Sequence, residues 1–504
     1  MKKIKYIFAS LLLSSFLACD TDYINDPDNP VTAPSTQLVT SAQFNLAYEL
    51  NNQWTGARAT LAFAQYWADE FYTDENRYAL RVSQVDDLWQ EPYLILTDLK
   101  KVIELNEDPQ TAVLMSTYGD NNNQIQASRI MMAFTFSKLV DTFGNVPYWS
   151  YGQKDNTAFE ALRLKEGINS PAYTDAKTIY EDLLIELLDA ANKIDISKPV
   201  YKEGDHIYRS PDGMTGEKWV KFAHSIRLRL ATHINKYDNA LAMSVYNESN
   251  TKAFTSNEDN AVFKYGTDDI TGGPWHNAFT VEARKDFGPA LSFTDLLYNR
   301  VGPFSSITEE DPRVTKYFDP IGTTEIIGIP YGFGNAVARA VENESIPSSE
   351  IIKPDYNQNL LSYAEMEFIR SEFNGWNQTN YENGVKASMM FWGVSDTDAD
   401  NYVTMLPVAN EENVLTQKYI ALYMDGLEAW TEYRRTGYPN TLTVPGDTFG
   451  SATFTTLVPG LNTIPNRVNY PQKEQLLNNS NWDTARQGLS DGDTMMSKLF
   501  WDVN

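Results

Sequence analysis

Cysteine is almost missing from this chain: 504 residues contain one, Cys19. That excludes a disulfide framework and any multi-thiolate metal centre. Histidine is nearly as scarce. The four residues His206, His224, His233 and His276 are widely spaced, which argues against a histidine-rich metal site. Positive charge is also short, with 41 Lys plus Arg against 67 Asp plus Glu and a formal charge of −26. A nucleic-acid binder needs clustered cations to displace counterions, so that class is set aside. Beyond the N-terminus no stretch approaches the ~18 apolar residues of a membrane helix. The chain has no G-x-S-x-G elbow, Walker A loop, H-E-x-x-H pair or G-x-G-x-x-G fingerprint. Acidic residues are so numerous that a glycosidase-type carboxylate pair stays open, because its defining separation in space is not written in sequence.

Apolar residues are abundant at 42%, enough for a large core. Aromatics reach 13%, with 29 Tyr, 24 Phe and 11 Trp, and this surplus is the feature most in need of a function.

The N-terminus sets the compartment. Lys2, Lys3 and Lys5 precede an uncharged, mostly apolar run over residues 6–17, which predicts a signal peptide over 1–18. Cys19 follows directly after Ala18, and this resembles the lipobox of a bacterial lipoprotein, whose cysteine is acylated and becomes the mature N-terminus. Residues 19–36 carry Asp20, Asp22, Asp26 and Asp28 with Pro27, Pro30 and Pro34, a stiff acidic tether. Fully extended, it reaches roughly 50 Å. Residues 37–504 show no clean internal linker and read as one domain.

Within that domain, apolar residues recur at three-and-four spacing over 176–194 and 217–237, and also over 124–140, 361–376 and 415–435. These are predicted helices that could stack as hairpins, although no strict 34-residue repeat is visible. Residues 262–290, 318–350 and 438–472 are rich in Gly, Pro, Asn and aromatics and predict irregular structure with a short strand or two. The expected class is therefore mainly α with a loop-rich region.

Three aromatic clusters sit in or beside such loops: Phe71, Tyr72 and Tyr78 with Asn76 and Arg77; Trp275 with His276; and Tyr331 with Phe333. Loops lie at the surface, and an exposed ring beside polar groups suits the apolar faces and polar rims of sugars or peptides. Tyr72, Asn76, Arg77, Tyr78, Trp275, His276, Tyr331 and Phe333 are the expected ligand contacts. Asp396, Asp398 and Asp400 resemble the start of an EF-hand loop. The glycine and terminal glutamate are missing, so a solvated acidic loop without metal is expected.

Several segments resemble the SusD/RagB family in order along the chain. Residues 141–148 (DTFGNVPY) are similar to its D-x-x-G-x-V-P-Y segment. The helix 218–230 (KWVKFAHSIRLRL) looks like one ending in L-R-L-R, and 364–372 (AEMEFIRSE) is similar to A-E-x-x-L-I-R-A-E. Residues 430–438 (WTEYRRTGY), 464–474 (IPNRVNYPQKE) and 498–502 (KLFWD) complete the series. The resemblance implies four tetratricopeptide-like helical pairs and an irregular ligand-binding region. It implies a non-enzymatic, lipid-anchored protein on the outer face of the outer membrane, with no cofactor. Its partners would be a SusC-like, TonB-dependent barrel transporter and an oligosaccharide. Alternatives are an oligopeptide ligand on the same fold, or a secreted glycoside hydrolase.

Overall fold

The computed structural model describes residues 33–503. The expected signal peptide, Cys19 and most of the tether lie outside the described residues. Helix α1 (Ser35–Tyr48) already includes the last two residues assigned to the tether, and Ser35 and Thr36 are buried.

Between residues 82 and 436, ten further helices of eight or more residues carry the scaffold. They are α2 (Val82–Glu107), α3 (Asn121–Phe143), α4 (Ala176–Lys193), α5 (Gly216–Ile234), α6 (Asn239–Ser249), α7 (Tyr363–Phe373), α8 (Gln378–Phe391), α9 (Asp396–Val403), α10 (Glu411–Ala421) and α11 (Gly426–Thr436). Each of α1 to α5 packs on the next, α7 packs on α8, and α5 joins the two series through α7. The pairs α1/α2, α3/α4, α5/α6 and α7/α8 are four stacked helical hairpins.

The helix expected over 176–194 is α4. Ile179, Leu183 and Leu187 are buried on its inner face, and Asp175 caps it by accepting from the amides of Lys177 and Thr178. Burial of each such side chain contributes about 1.5–3 kcal/mol.

Two expectations change. The predicted helix over 415–435 is two helices, α10 and α11, broken at Met424, whose φ is +74°. The break has a packing cause. A Cβ on Gly426 would fall 2.6 Å from the backbone of Thr60 and Leu61, so the chain turns there to bring a glycine against another segment. The Asp396–Asp400 run is helical rather than a loop. It opens α9, where acidic groups suit the N-terminal end of the helix dipole. The Ser395 hydroxyl accepts from the Asp398 amide, and Lys386 lies 2.9 Å from Asp396 and 2.6 Å from Asp400.

Four segments of the resemblance, 141–148, 218–230, 364–372 and 430–438, meet at a buried ionic junction. Arg229 of α5 makes a bidentate pair with Glu365 of α7 (2.8 and 2.5 Å) and reaches Asp425 at 3.2 Å and Glu428 at 3.3 Å. His233 Nε2 lies 2.9 Å from Glu428, and its Nδ1 lies 2.9 Å from the Tyr180 hydroxyl, which donates in turn to Asp141. Arg435 forks onto Glu372 at 2.7 and 2.8 Å and also pairs with Glu432. Burial alone would push the His233 imidazolium down, but the Glu428 and Asp141 carboxylates outweigh it and raise its pKa. For Glu428, burial is likewise outweighed, by Arg229 and His233, and its carboxyl is held well below the usual range.

The irregular region contributes four two-stranded antiparallel sheets among the described residues. One pairs β1 (Trp67–Asp69) with Phe287–Pro289 and ties the first aromatic segment to the second. Residues 448–449 and 452–453 form a small hairpin in the stretch where a strand or two is expected.

Candidate aromatic binding site

Two half-exposed rings, Trp54 and Tyr72, face outward from the loop region, with Tyr72 43% exposed. Trp54 stands on a π-helical stretch, Gln53–Thr60, whose first amides, Trp54 and Thr55, donate to the Asn52 side chain at 2.8 and 3.0 Å. Such π-turns concentrate at functional sites. Tyr72 is set by an Asp69 turn: the Asp69 carboxylate accepts from the amides of Phe71 (2.8 Å) and Tyr72 (2.7 Å).

Cations hold the rings from behind and between. The buried Arg58 guanidinium lies 4.7 Å from the Tyr72 ring centre and pairs with Asp69 at 2.6 Å and Asp286 at 3.1 Å. Arg81 lies between the two rings, 5.2 Å from Trp54 and 5.4 Å from Tyr72, and pairs with Glu75 at 3.0 Å. Arg284 adds a third cation 6.0 Å from Tyr72. These aromatic–cation contacts fix ring orientation, and both rings stay partly exposed.

A cleft of about 400 Å³ opens beside this platform, with Glu70, Phe71, Arg284, Lys285 and Glu344 on its walls. Phe71 is 38% exposed and carries the Arg339 guanidinium 4.9 Å from its centre. Burial, reinforced by the nearby Glu344 carboxyl, pushes Glu70 up to about 7. Burial also pushes Asp69 up to about 6, against the opposing pull of Arg58. The wall therefore sets a paired carboxyl, Glu70 with Glu344, next to cations and an apolar ring.

The eight expected ligand contacts separate. Tyr72 is on the platform, and Arg77, pairing with Asp74 at 2.6 Å, lies at the surface nearby. Asn76 is buried and braces the loop by donating to the Asp69 carbonyl at 2.8 Å. Tyr78 is fully buried against Phe63, Tyr331 and Phe454. Trp275 is fully buried edge-on to Trp67 at 4.6 Å, and His276 is 8% exposed, bound to Asp269 and the Ile352 carbonyl. Tyr331 and Phe333 are 1% and 4% exposed. Tyr78, Trp275 and His276, so covered, offer a ligand no open face, whereas Tyr331 and Phe333 line a second cleft beside Phe449. These loops fold back over their own rings instead of displaying them. The platform residues not singled out from sequence are Trp54, Arg58, Arg81 and Arg284. Only Trp54 carried a signal, as a lone indole in a polar Asn-rich stretch.

His233, Glu428 and Glu432 come close enough together to hold a metal ion. Their carboxylates are already engaged by Arg229, Lys418 and Arg435, so the trio is part of the ionic junction. Among the described residues no helix is long and apolar enough to cross a membrane.

No curated protein matches the chain. Solved structures do. A SusD homolog from Parabacteroides distasonis superposes with a TM-score of 0.76 at 21% identity, covering 93% of this chain and 98% of that one. A chitin-binding SusD homolog from Flavobacterium johnsoniae gives 0.71 at 22% identity, covering 93% and 99%. A SusD homolog from Bacteroides uniformis gives 0.72 at 20% identity, covering 93% and 99%. These likenesses establish the fold. The SusD-like family model described as "Starch-binding associating with outer membrane" matches residues 27–471, and the chain belongs to that family.

Proposed function

We propose that this protein is a surface-exposed, lipid-anchored glycan-binding protein that passes oligosaccharides to a SusC-like, TonB-dependent barrel, without catalysing a reaction itself. The observation that carries the reading is the Trp54–Tyr72 platform beside its 400 Å³ cleft, on a chain of a family described as starch-binding. Flat rings take the apolar faces of pyranoses, while Glu70, Arg284 and Glu344 meet their hydroxyls. The site is open and wet, so affinity in the micromolar range is expected. Acylation of Cys19 would anchor the protein, and the acidic tether would hold the domain above the membrane.

The test is titration of the purified protein against starch, chitin and other polysaccharides, and against peptide digests, with products followed by mass spectrometry. Saturable glycan binding without cleavage supports the reading. Binding to peptides alone moves the ligand to oligopeptides, and release of shortened sugars would make the protein a hydrolase. Cys19→Ser should abolish membrane partitioning. Co-purification from solubilised outer membranes tests the transporter.

A further inference from the structure

We infer a second glycan subsite, for a neutral pyranose, in the cleft beneath the Thr448–Phe449 hairpin strand. It rests on the glycan-binding reading and extends it to a separate place. This cleft holds about 380 Å³, within the range of ordinary ligand pockets. It lies on the other side of the segment in which Ile329 bonds to Pro289 and Leu291, since Ile329 lines the first cleft while Leu291 and Pro330 line this one.

Two observations point to a sugar. First, one wall is aromatic and fixed. The Phe449 ring is 42% exposed and sits 6.0 Å from Phe333, which packs at 6.3 Å on the buried Phe454. Secondly, the rim carries Asp295, which Arg300 pairs at 3.3 Å, and Asp447, and among the described residues no Lys or Arg lines the cleft, unlike the first cleft with Arg284 and Lys285. Carboxylates beside a ring accept from sugar hydroxyls and repel uronates and sulfated sugars. The loops of the two subsites are stitched together, because the Asn335 side chain, two residues beyond Phe333, donates to the Phe71 carbonyl at 2.8 Å. A glycan long enough to touch both would gain avidity from this fixed spacing.

The test is calorimetric titration with maltooligosaccharides and chitooligosaccharides from three to ten units, with oligogalacturonate as the anionic control. The wild type should bind two short neutral oligomers per chain and no oligogalacturonate at the second site. Phe449→Ala should reduce this to one and weaken long-oligomer binding roughly tenfold, and Phe449→Trp should restore both. Tyr72→Ala should remove the other site and leave this one. Asp447→Asn should bring weak oligogalacturonate binding to it. A wild type with one site, or Phe449→Ala with unchanged stoichiometry while Tyr72→Ala loses binding, overturns the subsite and leaves the glycan reading standing. No binding of any glycan by the wild type overturns the glycan reading and the subsite with it.

Discussion

The ionic junction and the aromatic platform are both built from arginines held by carboxylates, on opposite sides of the solvent boundary. At the junction, Arg229, Glu365 and Glu428 are almost wholly buried and every charge is spent on another helix. At the platform, Arg58 is as buried as Arg229, but Arg81 is 46% exposed and its partners include partly exposed rings. The same chemistry fixes a scaffold in one place and presents a surface in the other. Burial, rather than residue type, separates them.

The largest effect should come from breaking the junction. Arg229→Leu strands Glu365, Asp425 and Glu428 without their cation, and a loss of about 3–5 kcal/mol is expected in the denaturant midpoint. A smaller loss there, comparable to that of a surface pair, would mean that the carboxylates find other partners. Trp275→Ala should behave as a scaffold mutation as well. Emptying a fully buried indole site costs about 3–5 kcal/mol, while glycan affinity of the folded fraction should hold. Selective loss of affinity at unchanged stability would place Trp275 with the platform instead.

On the other side of the comparison, Tyr72→Ala should weaken glycan binding roughly tenfold, from ~1.4 kcal/mol of lost stacking, with a stability change of about 0.5 kcal/mol or less. The smallest effect concerns pH. His233 has a folded pKa above its unfolded value, so its contribution is complete below about pH 6.5 and fades as pH rises through the raised value. Glu428 is depressed, so its contribution is present above about pH 4.5 and is lost on acidification. Midpoints measured from pH 5 to 9 should decline on the alkaline side in wild type, and His233→Gln should flatten that decline. An unchanged slope would remove His233 as its source.

Much of the scaffold was legible because helices such as α4 bury one clean stripe. α2 was not, although it is the longest, because Pro92 interrupts its interior. A proline there removes one backbone hydrogen bond, and the buried Leu88, Trp89, Ile95 and Leu99 around it compensate. The break at Met424 carried no glycine or proline signal before it, since its cause is the approach of a distant segment to Gly426. The site was legible only in part. Gly-rich loops were read as displaying their aromatics, yet Gly332 (φ +86°) lets the backbone lie against Phe454, where a Cβ would fall 2.5 Å from the ring. There the glycine marks a covered ring, not an exposed one. Four of the six resemblance motifs, in turn, map to the ionic junction, which explains why they identified the family while naming no ligand residue.

The short ladder between β1 and Phe287–Pro289 fastens the platform through main-chain hydrogen bonds, which are indifferent to the side chains that follow. Residues 70–72 and 283–285 can therefore be exchanged while the ladder and the Arg58–Asp286 pair keep the mount. Under the glycan-binding function proposed above, ligand preference becomes an interchangeable fitting. A handful of substitutions can retool it for a different glycan, and the helical body never has to be rebuilt.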